Sequence, residues 1–447
     1  MRTLRRTIAV VAVLVLVLIA AFTGVYLQQQ PILLTGTGYA AHNACAVTEV
    51  AGRDDPASDL PSNPLVPYLR VDGAGDPTTA SLLGALARQR AWFTEGFGCT
   101  LARERPDLGA ASVIEAGANP LTDAPPPSPN PALQAAMAGA FGDNLPEGRA
   151  ENLGTRAVVI LEDGELVAER YADGFDAETP QLGWSMSKSV ANLLTGVLVE
   201  QGVVSLDDDH LRPEWTDDRA DITVEQLLRM TSGLEWDETY DLGTPITRML
   251  YLEEDMGSYV ASLPLEHEPG TAQEYSSGNT NLLCSVLAER TGLGADLPRQ
   301  LLLEPLGLTS ATFEPDAAGT PVCSSYLWAT PRDWAAIGQF ALQDGEWRGE
   351  QLLPADWMDR SVEILPDIEP TDVPGYGMGW RGNLLPDGNL RWPELPEDTF
   401  DASGHDGQKM LVVPSEGLVV VRMGFTPAEN ADASIVQLVE DAIAALG

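Results

Sequence analysis

The chain has 447 residues, of which 44% are hydrophobic, so it is long enough and apolar enough to bury one large core or two ordinary ones. Its charges are unbalanced, with 66 acidic residues against 26 basic residues and a formal net charge of −40. Such a surface repels polyanions, which argues against nucleic acid as a partner. Only two of the basic residues are lysines, Lys188 and Lys409, so both positions call for an explanation.

The N-terminus carries a membrane-directing segment. Arg2, Arg5 and Arg6 precede an uncharged stretch from Thr7 to Leu27, whose 21 residues match the ~20 that a helix needs to cross a bilayer. We favour an uncleaved anchor, because the stretch is longer than the apolar region of a typical signal peptide; a removed signal is the alternative. The arginines hold the N-terminus in the cytoplasm. The sequence therefore predicts a single-pass protein of a bacterial-type cell membrane with its bulk outside the cytoplasm, or a secreted protein if the segment is removed.

Four cysteines, Cys45, Cys99, Cys284 and Cys323, lie beyond this segment. An oxidising compartment permits two disulfides, and four cysteines allow three pairings, among which spacing alone does not decide. We favour Cys45–Cys99 and Cys284–Cys323, with four buried free thiols as the alternative. None of the spacings has the close Cys-x2-4-Cys pattern of a structural zinc site.

The composition also predicts how the chain is divided. Beyond the apolar stretch, one region near Thr78–Phe93 is predicted to be helical. Six prolines in the twelve positions from Pro120 to Pro131 predict a semi-rigid, extended connector. The predicted divisions are a cytoplasmic N-terminus at 1–6, a transmembrane anchor at 7–27, an N-terminal extracytoplasmic segment at 28–119, a Pro-rich linker at 120–131 and a main domain at 132–447.

Two predicted β-hairpins bracket the main domain. The first has strands at Arg156–Leu161 and Glu165–Tyr171, and the second has strands at Lys409–Pro414 and Leu418–Met423. Strands at both ends with helices between them predict an α+β fold, in which the first and last strands are neighbours in an antiparallel sheet. The helices predicted in this domain are Ser187–Gln201, Val224–Met230, Leu282–Thr291 and Ala433–Leu446.

The strongest chemical signal is Ser185-Met186-Ser187-Lys188, at the start of a predicted helix. Positions i and i+3 share one helix face, so the Lys188 amine is expected beside the Ser185 hydroxyl. A desolvated lysine can lose its proton and act as a base toward the serine, whereas arginine stays protonated. The chain has only two lysines, and one of them lies in S-x-x-K. This placement favours a catalytic pair over a chance match to the motif.

Three motifs in order resemble those of the serine β-lactamase and penicillin-binding-protein superfamily. Ser185-x-x-Lys188, Tyr275-Ser276-Ser277 and His405-Asp406-Gly407 are similar to its S-x-x-K, Y-x-N and K-T-G or H-x-G motifs, and Ile222–Leu234 is similar to a segment of its class C-like esterase branch. Glu235–Tyr240 and residues 275–280 resemble the 6-aminohexanoate-dimer (nylon-oligomer) hydrolase group. The resemblance covers about residues 150–447 and implies a β-lactamase/transpeptidase-like fold, with an antiparallel sheet flanked by helices and a helical subdomain.

The resemblance also implies a role for each matching residue. Ser185 would be the acylated nucleophile, Lys188 would take its proton, and Tyr275 would share the general-base role and pass the proton to the leaving group. The backbone N–H groups of Ser185 and Gln408 would bind the oxyanion. The residues expected to bind substrate are Tyr240, which matches a lid tyrosine that contacts a leaving amine, Ser277, His405 and Gly407.

Departures from the family pattern narrow the expected activity. Ser277 stands where the family has Asn and His405 where it has Lys, which weakens the features that recognise the carboxylate of β-lactams. We therefore expect no efficient β-lactamase activity. Cys284 and Cys323 each stand where relatives commonly have Gly, and two coordinated changes support the pairing of these cysteines.

Other constellations are weaker. Asp207-Asp208-Asp209-His210 lacks the D-x-D-x-D-G layout of a calcium loop and predicts a solvated turn. Residues 183–187 lack the closing glycine of G-x-S-x-G, which argues against an α/β-hydrolase. His42 and His267 have no visible catalytic partner and are expected to be structural or exposed. We expect neither a metal nor a cofactor.

Together these features predict a membrane-anchored, externally facing serine hydrolase that cleaves an ester or amide bond. Its expected contacts are a small-molecule or peptide-like substrate and, through residues 7–27, the lipid bilayer. The alternatives are a D-alanyl peptidase or penicillin-binding protein, and a catalytically silent protein that binds cell-wall peptides. The sequence leaves the natural substrate and the oligomeric state open.

Overall fold

The computed structural model of the chain describes residues 2–61, 64–72, 76–145, 153–366, 368–370, 373–426 and 428–447. Its helices are α1 (Arg2–Glu49), α2 (Pro131–Ala140), α3 (Met186–Glu200), α4 (Val224–Leu228), α5 (Pro245–Leu252), α6 (Met256–Ala261), α7 (Ser277–Thr291), α8 (Glu304–Leu306), α9 (Pro331–Leu342), α10 (Trp357–Val362) and α11 (Ala428–Leu446). Its strands are β1 (Leu69–Asp72), β2 (Thr78–Leu82), β3 (Leu86–Thr94), β4 (Gly98–Leu101), β5 (Thr155–Glu162), β6 (Glu165–Tyr171), β7 (Gln181–Leu182), β8 (Ala272–Gln273), β9 (Thr312–Phe313), β10 (Leu327–Ala329), β11 (Glu346–Trp347), β12 (Glu350–Gln351), β13 (Glu369–Pro370), β14 (Arg381–Gly382), β15 (Phe400–Gly404), β16 (Gln408–Val413) and β17 (Leu418–Gly424).

The main domain is built on a six-stranded sheet with the order β14-β15-β16-β17-β5-β6. The first and last long strands are neighbours, because β17 pairs antiparallel with β5, as the sequence predicts. Side chains alternate between two cores: Val159 packs on the side of α9, while Val158 and Ile160 pack on the side of α2 and α11. Buried residues on both faces explain why β5 is almost continuously apolar.

Both predicted hairpins form, and the first has a tight turn. Asp163 and Gly164 between β5 and β6 have φ of 49° and 81°. Two successive residues with positive φ give a turn whose twist matches that of the paired strands, and Asp-Gly suits it. The second hairpin joins β16 to β17 through Pro414–Glu416 and Gly417.

A helical subdomain covers one end of the sheet. Helix α3 is buried from Met186 to Leu198, so it lies inside the molecule rather than on its surface. Helix α7 is buried from Ser277 to Ala288 and packs against α3, α4 and α6. Because α3 and α7 both begin at the same cleft, their first turns bring Ser185, Lys188 and Ser277 together.

The prediction of a helix near Thr78–Phe93 is wrong. These residues form β2 and most of β3 in a four-stranded sheet with the order β1-β2-β3-β4. Tertiary packing decides the outcome, because Ala80 and Ala91 lie against Ala40 and Ala41 of α1 in a shared core. Small side chains let the helix approach the sheet closely, and Leu83 and Gly84, both with positive φ, turn the chain between the strands.

Helix α1 extends well past the apolar stretch. It continues without interruption to Glu49, with Pro31 inside it, and residues 40–47 are almost entirely buried in the domain. Among the described residues, α1 is the helix that is long and apolar enough to cross a membrane, by length and composition, and its most apolar window is wholly unburied. A signal sequence near an N-terminus would meet the same criteria.

The Pro-rich run lies against the main domain. Residues 124–130 form neither a helix nor a strand, and Asn130 caps α2 by accepting hydrogen bonds from the backbone of Ala132 and Leu133. Leu121 is buried in the main core, and Arg332 donates from Nη1 to the carbonyl oxygens of Leu121 and Ala124. These contacts hold the run in place.

Candidate active site

Ser185 and Lys188 meet at the N-terminus of α3. Ser185 is the residue immediately before the helix, and the Nζ atom of Lys188 lies 2.9 Å from its Oγ. Gly183 is required just before them, because a Cβ at this position would lie 2.1 Å from the ring of Trp334. The i and i+3 spacing therefore produces the side-chain contact that the sequence predicts.

Lys188 is almost fully buried among neutral acceptors. Only 2% of the residue is exposed, and its amine contacts Ser277 Oγ at 2.8 Å and the carbonyl oxygen of Ser324 at 3.1 Å. Within the described part of the chain, no ion pair includes Lys188. A lysine that no carboxylate contacts directly, placed beside a hydroxyl, is the arrangement that base catalysis needs.

Glu238 extends this group and is a residue that the sequence analysis missed. Its carboxylate accepts hydrogen bonds from the backbone N–H of Ser277 at 2.9 Å and from Ser277 Oγ at 2.5 Å. It also accepts one from Trp236 Nε1 at 2.6 Å. A continuous chain of contacts thus runs from Ser185 through Lys188 and Ser277 to Glu238. Ser277 is fully buried, so it lies behind the cleft rather than on its surface.

The cleft in front of Ser185 has a volume of about 410 Å³. Tyr275 lines it, and the Lys188 amine lies 4.8 Å from the centre of the Tyr275 ring. The Tyr275 ring also makes an edge contact with Tyr376. The structure therefore brings the three predicted catalytic side chains, Ser185, Lys188 and Tyr275, to one site.

Tyr240 and His405 also line the cleft. Their rings stack with centres 4.6 Å apart, and both make edge contacts with Trp184. Burial raises the pKa of Tyr240 well above its ordinary value, with a further contribution from Glu238, so the phenol stays protonated. Among the described residues, the buried Tyr240 hydroxyl has no hydrogen-bond partner. A buried hydroxyl without a partner is unusual, which makes Tyr240 a candidate hydrogen-bond donor to a ligand.

The structure corrects two residues of the third motif. Gly404 and His405 line the cleft, whereas Gly407 and Gln408 do not. The physical reason is that the chain turns at His405–Gly407, with φ of 57° at Asp406 and 82° at Gly407. Gln408 is therefore the first residue of β16 and lies beyond the turn. The Gln408 side chain bonds to the backbone of Gly424.

Gly404 has the close approach that the sequence analysis assigned to Gly407. A Cβ on Gly404 would lie 2.1 Å from the carbonyl oxygen of Gly183, two residues before Ser185. Only glycine lets β15 pass this close to the segment that positions the serine. Gly407 instead serves the turn, and its carbonyl accepts a hydrogen bond from the buried Arg422 at 2.6 Å.

A buried ionic cluster supports the β15 side of the cleft. Asp401 is fully buried and accepts hydrogen bonds from Arg381 at 2.7 Å and Arg391 at 2.9 Å. Burial alone would raise the pKa of Asp401, but Arg381, Arg391 and Lys409 hold it well below its ordinary value. Lys409 also donates to Ser403 Oγ at 3.0 Å.

The cysteines form the two pairs that the sequence analysis favours. Cys45 of α1 is bonded to Cys99 of β4, and Cys284 of α7 is bonded to Cys323. The second bond holds together two segments that contact Lys188, because Ser277 begins α7 and Ser324 follows Cys323. It is therefore part of the support of the site.

The remaining sequence candidates lie elsewhere. His42 is buried, bonds to Glu314 at 2.9 Å and stacks on Tyr326, which is a structural role. Residues 207–210 form a largely exposed turn, in which Asp208 pairs with Arg290. The ligand atoms of His267, Glu266 and Glu274 lie within 4.8 Å of one another, but nothing at that cluster indicates an ion.

The fold and this serine–lysine site agree with a known family. The Beta-lactamase family model matches residues 141–439, which is most of the chain. The chain therefore belongs to the Beta-lactamase family and is a serine hydrolase of that fold.

Individual relatives are similar over most of their length. The 6-aminohexanoate-dimer hydrolase of Paenarthrobacter ureafaciens is 25% identical over 315 residues, which covers 64% of this chain and 77% of that protein. A Bacillus anthracis structure provisionally assigned as a 6-aminohexanoate-dimer hydrolase has a TM-score of 0.59 at 20% identity and covers 75% of this chain and 91% of its own. A family VIII carboxylesterase has a TM-score of 0.55 at 18% identity and covers 72% and 99%. These two structures show the fold.

Proposed function

We propose that this protein is a membrane-anchored, extracytoplasmic hydrolase that cleaves ester or amide bonds through an acyl-enzyme on Ser185. The observation that carries the proposal is the 2.9 Å contact between Lys188 Nζ and Ser185 Oγ, with Lys188 almost fully buried. Two disulfides suit an oxidising compartment, and α1 suits a membrane anchor.

Acylation begins with transfer of the Ser185 hydroxyl proton to the amine of Lys188. The Ser185 oxygen then forms a bond to the substrate carbonyl carbon, and the carbonyl oxygen becomes an oxyanion. When the carbon–leaving-group bond breaks, the leaving oxygen or nitrogen takes a proton by way of Lys188 and Tyr275. A water molecule then attacks the acyl ester, which releases a carboxylic acid and returns the proton to Ser185.

The oxyanion is stabilised by the backbone N–H groups of Ser185 and His405. Ser185 supplies the N-terminus of α3, and His405 takes the place that the sequence analysis gave to Gln408, because β15 rather than β16 borders the cleft. Backbone donors on two rigid elements need no reorganisation when the charge develops. Gly404 permits this arrangement through its close contact with Gly183.

Ser277 and Glu238 position Lys188 and help it to exchange protons. Ser277 Oγ is 2.8 Å from the Lys188 amine and 2.5 Å from the Glu238 carboxylate. When Lys188 gains the proton of Ser185, the charged Glu238 stabilises the ammonium through this serine. Ser277 thereby takes the role of the family Asn at this position, which is to contact the lysine.

The substrate is a linear amide or an ester of a small or peptide-like molecule. One relative is a hydrolase of the 6-aminohexanoate dimer, and one structural neighbour is a carboxylesterase. The unpartnered Tyr240 hydroxyl offers a hydrogen bond to a leaving amine bound in the cleft. Tyr376, whose buried hydroxyl also lacks a partner among the described residues, offers a second one.

Fluorophosphonate labelling tests the proposal directly. We expect the probe to label the wild-type chain and to leave Ser185→Ala unlabelled, while Ser187→Ala, which alters the neighbouring serine, keeps the label. An unlabelled wild type, or undiminished labelling of Ser185→Ala, would remove the hydrolase proposal and favour a silent binder of cell-wall peptides.

A substrate panel then separates the hydrolase classes. We expect turnover of short-chain p-nitrophenyl esters or of the 6-aminohexanoate dimer, and little turnover of penicillin. Preferential cleavage of peptides that end in D-alanyl-D-alanine would instead identify a D-alanyl peptidase.

A further inference from the structure

The part of the domain nearest the predicted membrane is unlike the rest of this acidic protein. Helix α1 carries the apolar stretch directly into the domain without a linker, because it is continuous from Arg2 to Glu49 and becomes buried a few residues past the stretch. The orientation of the domain relative to α1 is therefore fixed by packing and by the Cys45–Cys99 disulfide. A fixed orientation means that one particular surface faces the bilayer.

The hairpin between β2 and β3 marks this surface. The backbone N–H of Ala87 donates to the Tyr26 hydroxyl at 3.0 Å, and Tyr26 is the penultimate residue of the apolar stretch. The tip of the hairpin thus lies at the level where the helix leaves the hydrocarbon. Leu83 at the tip is 61% exposed. Tyrosine and exposed leucine are suited to the boundary between acyl chains and headgroups.

A cavity of about 630 Å³ lies immediately above the hairpin tip. One side is formed by α1 between Leu27 and Leu34, a rise of about 10 Å, which is enough to span the roughly 5–8 Å headgroup region of one leaflet. The arginines on its other sides are Arg88, Arg103 and Arg248.

The charges of the cavity differ from those of the whole molecule. The cavity has three arginines against Glu253 and Glu254, whereas the chain has a net charge of −40. Glu253 pairs with Arg248 at 2.7 Å, and Glu254 lies 4.0 Å from the exposed Arg103. Arg88 forms no ion pair within the described ranges. Guanidinium groups at headgroup level are suited to phosphate oxygens.

We propose that the β2–β3 hairpin tip enters the outer boundary of the bilayer and that Arg88 and Arg103 bind the headgroup of an anionic phospholipid through its phosphate. This inference rests on the proposed membrane anchor. It adds that the domain is held against the membrane in one orientation, so that the catalytic cleft lies at a fixed distance from the bilayer surface. Tyr39 lies twelve residues beyond Leu27, about 18 Å along the helix, and its ring makes an edge contact with Trp184 beside Ser185.

The first test measures depth in the membrane. Full-length chains with a spin label at Leu83→Cys or Val113→Cys are reconstituted in phospholipid nanodiscs. Val113 is a matched control, because it is also exposed and apolar but lies far from the hairpin tip. Its neighbour Ser112 and Gly96, which follows the other end of β3, both accept hydrogen bonds from Arg299. We expect oxygen to reach label 83 and a water-soluble nickel complex to be excluded from it, with the reverse at 113. Equal nickel access at both labels would overturn the proposal.

The second test measures lipid recognition. We expect nanodiscs that contain phosphatidylglycerol to raise the Tm of the wild type by about 2 °C over phosphatidylcholine alone, with the rise lost in Arg88→Gln/Arg103→Gln. Arg348→Gln/Arg360→Gln removes the same charge from exposed positions outside the cavity and should keep the rise. No rise in the wild type, or equal rises in both variants, would contradict binding of an anionic headgroup.

The mass of the reconstituted chain separates this inference from the anchor on which it rests. A chain that has lost residues 1–27 during export refutes the anchor. An intact chain whose label at 83 faces water refutes membrane docking alone. Fluorophosphonate labelling of the same samples reports the hydrolase site independently of both.

Discussion

The two lysines of this protein are both nearly buried, but they lie in opposite electrostatic surroundings. Lys188 contacts two serine hydroxyls and a carbonyl oxygen, whereas Lys409 lies beside the buried carboxylate of Asp401. A carboxylate holds the proton on a neighbouring amine, while hydroxyl groups accept from it or donate to it. Under the proposed function, Lys188 is the lysine that exchanges a proton with Ser185, whereas Lys409 supports β15 beside Asp401.

The largest effect expected from this comparison is on catalysis. Lys188→Arg keeps the positive charge but cannot take the Ser185 proton, so we expect kcat/KM for an ester to fall by about 10³-fold. The matched change Lys409→Arg keeps the charge beside Asp401 and should alter kcat/KM by no more than about threefold. Comparable losses in two folded variants would show that the lysines do not differ in role.

The buried cluster around Lys409 is expected to act on stability. Asp401→Asn removes the buried carboxylate that pairs with Arg381 and Arg391, and the loss of both ion pairs should lower the free energy of unfolding by about 3–5 kcal/mol. Denaturant unfolding at neutral pH measures this loss.

The pH dependence of that loss checks its electrostatic origin. The pKa of Asp401 is lower in the folded chain than its unfolded value of about 3.9, so its stabilisation is complete above that pH and is lost as the pH falls toward the folded pKa. The difference between wild type and Asp401→Asn should therefore shrink in acid. A difference that stays constant down to the lowest pH that can be measured would indicate a packing defect instead.

The disulfide beside Lys188 should matter less than the ion cluster. Replacing Cys284 and Cys323 with serine removes the covalent link between α7 and the segment of Ser324. We expect the free energy of unfolding to fall by about 2–4 kcal/mol. Because Ser277 and Ser324 both contact Lys188, kcat/KM should also fall. A double variant with lower Tm and unchanged kcat/KM would show that the bond does not support the lysine.

The smallest predicted effect concerns Glu238. Glu238→Gln keeps the size of the side chain but replaces its charge-assisted bond to Ser277 with a neutral one, and we expect a loss of about tenfold in kcat with little change in KM. Asp237→Asn, at the exposed neighbouring position, is the control. If the pH profile of kcat is identical in Glu238→Gln and the wild type, Glu238 does not influence the proton state of Lys188.

Features set by nearby residues were predictable from the sequence. The S-x-x-K contact follows from the geometry of one helical turn, and the Asp163-Gly164 hairpin follows from local turn chemistry. The neighbouring first and last strands also follow from the order of elements in the chain.

Features set by distant contacts were not predictable. Glu238 reaches Ser277 across 39 positions, and no short motif connects them. The chain turns at His405–Gly407 before β16 begins, so His405 rather than Gln408 lines the cleft. The strands between 78 and 94 form because they pack on α1, and that helix is itself much longer than the apolar stretch indicates.

The most direct test of the central claim is the mass of the chain captured during turnover of a slowly hydrolysed ester. Acid quenching followed by peptide mass analysis should show an increase equal to the acyl group on the peptide that contains Ser185, and Ser185→Ala should show neither the adduct nor turnover. An acyl group on another residue, or turnover that persists in Ser185→Ala, would contradict the account.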